Sequence, residues 1–152
     1  MIPKKIKFTK DGYQKLKDDF EKFTYQRKSA VINLRTAREM GDLSENGAYK
    51  AARFELSSID RELRRLTYLL RFGEITAISH TEFIGFGSHI TLTTGKQKRS
   101  FMLVEGYESN PHENKLSVQS PIGKAVVGKQ VGDKVTVNAP NGSIVYTIIQ
   151  VK

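Results

Sequence analysis

Apolar residues recur at alternating spacings of three and four through the first half of the chain. The first run is Tyr13, Leu16, Phe20, Phe23, Ala30, Leu34 and Ala37, with Arg27 interrupting it. The second is Tyr49, Ala52, Leu56, Ile59, Leu63, Leu66 and Leu70. This spacing is the seam of a coiled coil and predicts two long helices. Thr9 is the expected cap of the first, with Asp11 at the positive end of its dipole. No proline lies between Pro3 and Pro111, so the first stop signal is Gly41, and Gly73 stops the second helix. Two helices of roughly 30 residues, each on the order of 45 Å long, must fold back as an antiparallel hairpin when only a few residues join them. The seam residues shrink toward the connection, from Phe20, Phe23, Leu66 and Leu70 to Ala30, Ala37 and Ala52. Small residues there suit a slim tip entering a narrow space, and equally suit close helix packing.

After Gly73 the period shifts toward two. Strand-like runs are Ile75–Ser79, His89–Thr93, Phe101–Val104, Lys115–Val118, Lys134–Asn138 and Ser143–Val151. Pro140-Asn141-Gly142 is a hairpin turn signal, because Asn-Gly tolerates positive φ. Ser120-Pro121 opens a short helix to Val127, with Ser120 as cap, Pro121 in the first helical position and Gly128 closing it. The expected fold is therefore α+β: a helical hairpin over residues 1–75, then an antiparallel sheet domain with one short helix over 76–152.

Composition narrows the function. The 152 residues contain no cysteine and three histidines, His80, His89 and His112, without metal-ligand spacing. Disulfides and thiolate sites are excluded, a histidine zinc site is not expected, and a cytoplasmic location is the simplest expectation. No apolar run approaches the roughly 18 residues of a membrane-spanning helix, and the N-terminus lacks a signal-peptide pattern. The net charge of +9 points to a polyanionic partner, DNA or RNA. Residues 1–74 carry 17 Lys/Arg against 11 Asp/Glu, net +6, and residues 75–152 carry 8 against 5, net +3. The bias sits in the hairpin.

At the turn, Gly41-Asp42-Leu43-Ser44-Glu45-Asn46-Gly47 places two acids three positions apart among Arg35, Arg38, Lys50 and Arg53. One reading is structural: Asp42 caps the second helix and Glu45, in its first turn, reaches back in a capping box. The other is chemical. Two carboxylates on one short segment suit Mg²⁺, which keeps several waters and takes one or two protein ligands. Basic neighbours would hold a phosphate backbone beside them. An exposed tip has no cavity, so the rest of such a site would come from a partner.

The segment Ala37-Arg38-Glu39-Met40-Gly41-Asp42-Leu43-Ser44-Glu45-Asn46-Gly47-Ala48-Tyr49-Lys50-Ala51-Ala52-Arg53 closely resembles the tip signature of the bacterial transcript cleavage factors, the GreA/GreB family. Ser117-Val118-Gln119-Ser120-Pro121-Ile122-Gly123-Lys124-Ala125-Val126-Val127-Gly128-Lys129, followed by Val131-Gly132-Asp133, resembles the signature of their C-terminal domain. Leu43 and Tyr49–Ala52 are more similar to GreA than to GreB. The resemblance covers nearly the whole chain. It implies a coiled coil that enters the secondary channel of a backtracked RNA polymerase, where Asp42 and Glu45 help bind a second Mg²⁺ and position the attacking water. The polymerase, not the factor, then cleaves the nascent RNA near its 3′ end. It also implies an FKBP-like C-terminal domain docked at the channel entrance, with Ser120, Pro121 and Ile122 near that contact, and a monomeric factor. Arg38, Lys50 and Arg53 are candidates for contact with RNA or the channel wall on charge and position.

The chain departs from the family pattern in its basic charge, in Gly47 where alanine is usual, and in a short link around residues 76–86. Three other readings stand beside the first. One is a related channel binder that modulates or inhibits polymerase without cleavage, against which both acids argue. Another is a basic coiled coil that binds RNA or DNA without polymerase. The third is a prolyl isomerase, disfavoured because the second half has no tryptophan and few aromatics.

Overall fold

A computed structural model describes residues 4–78 and 81–152. The chain divides into two compact units, Asp11–Glu74 in one and Ile6–Lys10 with Ile75–Lys152 in the other.

In the first unit, α1 (Lys10–Arg38) and α2 (Gly47–Phe72) form the hairpin. The two helices run antiparallel, as three cross-links along their length require. Tyr13 Oη donates to the Leu70 carbonyl at 3.2 Å, Arg27 Nε pairs with Asp60 Oδ1 at 2.6 Å, and Asn46 Nδ2 donates to the Ala37 carbonyl at 2.7 Å. Ala30, Ala37, Ala52, Ile59 and Leu66 are buried along the seam. Arg27, the one polar residue in that seam, is exposed and answered by Asp60 from the facing helix. At the base the burial drifts to Leu69, which is fully buried beside the half-buried Leu70. An untwisted 3.6-residue helix drifts in this way from a strict seven-residue repeat.

The second unit is built on a five-stranded sheet in the order β5-β4-β3-β7-β6. Its strands are β3 (His89–Thr93), β4 (Lys98–Val104), β5 (Lys115–Ser117), β6 (Lys134–Ala139) and β7 (Gly142–Val151). Two shorter strands, β1 (Ile6–Phe8) and β2 (Gly73–Ile75), are not part of this sheet. The predicted strand Ile75–Ser79 is thus displaced: Thr76–Ile78 lie outside any strand, and Ser79 lies outside the described residues.

The sheet is mixed, not wholly antiparallel as expected. β5 runs parallel to β4, pairing Met102 with Lys115 and Val104 with Ser117. The connection from 105 to 114 explains this. Two single 3₁₀ turns, Gly106–Glu108 and Pro111–Glu113, carry the chain back along the sheet, and Asn114 in the left-handed conformation (φ 54°) redirects it. The β6–β7 hairpin has the predicted tight turn, with Gly142 at φ 119°. The α3 helix (Pro121–Val126) packs on the core of Ile84, Ile90, Leu92, Leu103, Val126, Val135, Val137, Tyr146 and Ile148.

Glu108 anchors the 3₁₀ segment. Its side chain is only 5% exposed, accepts the Thr9 backbone N–H at 3.0 Å and the Thr9 hydroxyl, and pairs with Lys115 at 3.3 Å. A buried carboxylate of this kind persists only with charge and hydrogen bonds to answer it.

Candidate functional site

The last turn of α1 frays through Met40 N–H to the Ala37 carbonyl, and Gly41 at φ 119° turns the chain away. Asp42 follows. Its Oδ1 accepts both the Ser44 backbone N–H and the Ser44 hydroxyl, each at 2.9 Å, the pattern of an Asx-turn. These two bonds, the backbone one first, hold the Asp42 carboxyl below its ordinary pKa. Hydrogen bonds to the ionised form have this effect even at a fully exposed group. Both fall on Oδ1, so Oδ2 carries no hydrogen bond among the described residues. Glu45 is exposed and makes no hydrogen bond or ion pair among them.

The capping-box expectation is corrected here. The cap of α2 is Asn46, whose Oδ1 accepts the Tyr49 N–H at 3.0 Å, and the helix starts at Gly47. Asp42 lies four residues before that cap and Glu45 lies outside the helix. Asn46 wins because the seam begins at Tyr49, three residues on. Asparagine caps as well as aspartate, and only Asn46 carries a donor able to reach the Ala37 carbonyl at the same time. Both carboxylates are therefore displayed at the turn and neither is consumed by the helix end.

Of the basic candidates, Arg38 and Arg53 are brought together by a residue that sequence reasoning placed only in the seam. Their guanidinium carbons lie 5.9 and 5.8 Å from the Tyr49 ring centroid, one contributed by each helix. That distance is within the range of cation–π attraction. Lys50 is exposed, and among the described residues nothing joins its side chain to that ring. Near the turn a cleft of about 630 Å³ is lined by Asn33, Ala37, Met40, Ala48, Ala52 and Glu55. Among the described residues no three acids or histidines cluster as a metal site. Asp42 and Glu45 alone suit Mg²⁺ as a partial set of hard oxygen ligands.

In the second unit, Ser120 is the predicted cap of α3: its Oγ accepts the Gly123 N–H at 3.0 Å and donates to the Ser117 carbonyl at 2.7 Å. Pro121 is exposed in the first helical turn, and Ile122 is half-buried against the core. Gly123 admits the close approach, since a Cβ there would lie 2.2 Å from the Ser117 carbonyl oxygen.

Two family profiles match consecutive parts of the chain. Residues 6–75 match "Transcription elongation factor, N-terminal", and residues 79–152 match "Transcription elongation factor, GreA/GreB, C-term". The chain belongs to the GreA/GreB family of transcription elongation factors. It is 38% identical to the transcription elongation factor GreA of Neorickettsia sennetsu, covering 98% of this chain and 97% of the relative. With GreA of Thermosipho africanus it shares 34% identity over 100% and 99% of the two chains. A solved structure titled as the transcription factor Gfh1 is 27% identical and covers 99% of each chain with a TM-score of 0.50. As in the expectation from its motifs, the GreA/GreB architecture in this chain joins a helical hairpin to a small sheet domain.

Proposed function

We propose that this chain acts on bacterial RNA polymerase, entering its secondary channel with the hairpin and stimulating the polymerase to cleave the 3′ end of a backtracked transcript. The observation that carries this reading is the release of Asp42 and Glu45 from helix capping, with Asn46 taking that role in their place. Two exposed carboxylates three positions apart on one turn would make half of a metal site, and the polymerase would supply the other half. Asp42 and Glu45 would hold Mg²⁺ jointly with polymerase ligands. Held there, the ion would supply Lewis-acid activation of water and charge stabilisation at phosphorus. The factor is then not itself a nuclease. Arg38 and Arg53, oriented by Tyr49, and Lys50 would contact the extruded RNA or the channel wall. Ser120, Pro121 and Ile122 would dock at the channel entrance, and the protein would work as a cytoplasmic monomer.

The test adds purified protein to stalled, backtracked bacterial elongation complexes with Mg²⁺. Release of short 3′ fragments is expected. Asp42→Ala and Glu45→Ala should each return cleavage to the polymerase's own basal rate while leaving polymerase binding in place. Binding without any stimulated cleavage by the unaltered chain would move the assignment to a non-cleaving channel binder.

A further inference from the structure

β5 covers only part of the outer side of β4. The parallel pairing runs from Met102 to Val104, whereas β4 begins at Lys98. Among the described residues, Lys98–Phe101 are paired on one side alone, to β3, with Thr93 opposite Lys98 and Ile90 opposite Phe101. The direction of the backbone groups follows from two bonds. Leu103 N–H donates to Ser88 on the β3 side at 3.0 Å, and Met102 N–H donates to Asn114 on the β5 side at 2.8 Å. Backbone groups alternate sides along a strand. Lys98 and Ser100 therefore turn both N–H and C=O toward the open side, where no strand meets them among the described residues.

Alongside this edge runs a groove of about 510 Å³, lined by Lys98–Phe101 and by Pro111, Asn114, Lys115, Leu116 and Ile122. Phe101, Leu116 and Ile122 are half-buried against the domain core and give the groove an apolar wall. Among the described residues no carboxylate lines it. Lys115 is already answered by Glu108 and Glu113, at 3.3 and 3.5 Å. Lys98 and Arg99 are exposed and have no ion pair among the described residues. As neighbours on a strand they present their charges on opposite faces of the sheet, at one edge.

We propose that the open edge of β4 is a docking site for an extended acidic peptide segment of a partner protein. The segment adds a strand beside Lys98–Phe101, in the row that β5 occupies farther along. An unpaired strand edge is a template for such addition, with main-chain bonds giving affinity and side-chain pockets giving specificity. Ser100 and Lys98 exchange backbone hydrogen bonds with the incoming strand. One alternate set of its side chains meets the wall of Phe101, Leu116 and Ile122, and the carboxylates of the other set, on the opposite face, answer Lys98. A nucleic-acid strand fits less well, because a phosphodiester offers acceptors only and leaves the outward carbonyls of Lys98 and Ser100 unmatched. The site lies within the second unit and does not depend on transcript cleavage.

The experiment titrates the full ¹⁵N-labelled chain with an end-blocked octapeptide of alternating glutamate and valine, and with its lysine-for-glutamate counterpart. The expected result is saturable shifts of the Lys98, Ser100 and Met102 amides with the acidic peptide and none with the basic one. Lys98→Glu with Arg99→Glu should weaken binding roughly tenfold or more. Ser100→Pro should do likewise, because proline is tolerated on an edge strand but removes the donor. Ser100→Ala keeps that donor and should bind within about twofold of the parent. Unaltered affinity in both the charge-reversed and the proline variants would overturn the proposal. So would equal binding of the two peptides, or shifts confined to residues elsewhere. An octauridylate that shifts these same amides where the acidic peptide does not would overturn it in favour of nucleic acid.

Discussion

Asn46 spans the hairpin: its Nδ2 donates to the Ala37 carbonyl at 2.7 Å while its Oδ1 accepts the Tyr49 N–H at 3.0 Å. One half-buried side chain thus closes the end of α1 and opens α2, and the turn bearing Asp42 and Glu45 is strung between those two attachments. Asn46→Ala removes both bonds, at about 1 kcal/mol for the cap and about 1 kcal/mol for the cross-helix bond. Asn46→Asp keeps the acceptor but not the donor, and should lose roughly half as much. Urea unfolding of the full chain measures the total, and hydrogen exchange at the Tyr49 and Lys50 amides localises it. An alanine variant as stable as the parent would contradict this role.

Asp42 should behave in the opposite way. It caps no helix, so Asp42→Asn is expected to change stability by no more than about 0.5 kcal/mol, as for an ordinary surface position. Its proton affinity is another matter. The Ser44 N–H and hydroxyl lower its pKa in the folded state, so the interaction is fully present above the ordinary aspartate pKa. It is lost as pH falls through the lowered folded value. Ser44→Ala removes the hydroxyl and keeps the larger backbone contribution, so the pKa should rise only part of the way. Titration of the Asp42 carboxyl carbon by NMR reads this directly, and an unmoved midpoint in Ser44→Ala would refute it.

How far the sequence foretold these features depended on the range of the interaction. The seam from Tyr13 to Leu70 is a periodic signal repeated over many turns, and the helices follow it. The Ser120-Pro121 start of α3 and the Asn141-Gly142 turn are local chemistry, and both sit where that chemistry put them. The cap of α2 was misplaced because Asp42, Ser44 and Asn46 are all competent caps. The choice among them is made by a contact to Ala37 on the other helix, nine residues away in sequence. The parallel pairing of β5 was missed for a similar reason. A three-residue strand carries no directional signal, and its direction is set by the 3₁₀ connection and the Glu108 anchor on Thr9, 99 positions distant. The acids and arginines of the tip were visible in the sequence. Tyr49 as the ring between two arginines was not, because its seam position explained it already.

Two glycines should respond to alanine with opposite signs. At Gly123 an added Cβ would meet the Ser117 carbonyl oxygen at 2.2 Å and Val118 backbone atoms at 2.9 Å, with no flexible side chain to yield. Gly123→Ala is expected to cost roughly 3 kcal/mol through forced backbone movement. At Gly47, the first residue of α2, a Cβ meets nothing within 4 Å. Gly47→Ala should stabilise the chain by about 0.5 kcal/mol by narrowing the unfolded ensemble. Paired thermal or urea unfolding of the two variants tests both, and a neutral Gly123→Ala would show that α3 can shift away from Ser117.

The basic tip makes a prediction in which salt separates charge from packing. Arg38, Lys50 and Arg53 are exposed, so their attraction for phosphate is screened and should weaken steeply with ionic strength. Removing all three charges as glutamines should reduce the dependence of log affinity on log salt by up to about 2, at roughly 0.7 for each phosphate contact to a single strand. The deficit of the triple variant should therefore be largest at low salt and narrow as salt rises. Tyr49→Leu leaves every charge in place but takes away the ring that orients Arg38 and Arg53. It should keep the parental salt slope while binding more weakly at every salt concentration, and Tyr49→Phe, which retains the ring face, should restore binding. The protein concentration giving half-maximal cleavage of backtracked complexes, measured across a salt series, reports all three. A triple-variant deficit that does not change with salt would mean that these residues act through shape and not through charge.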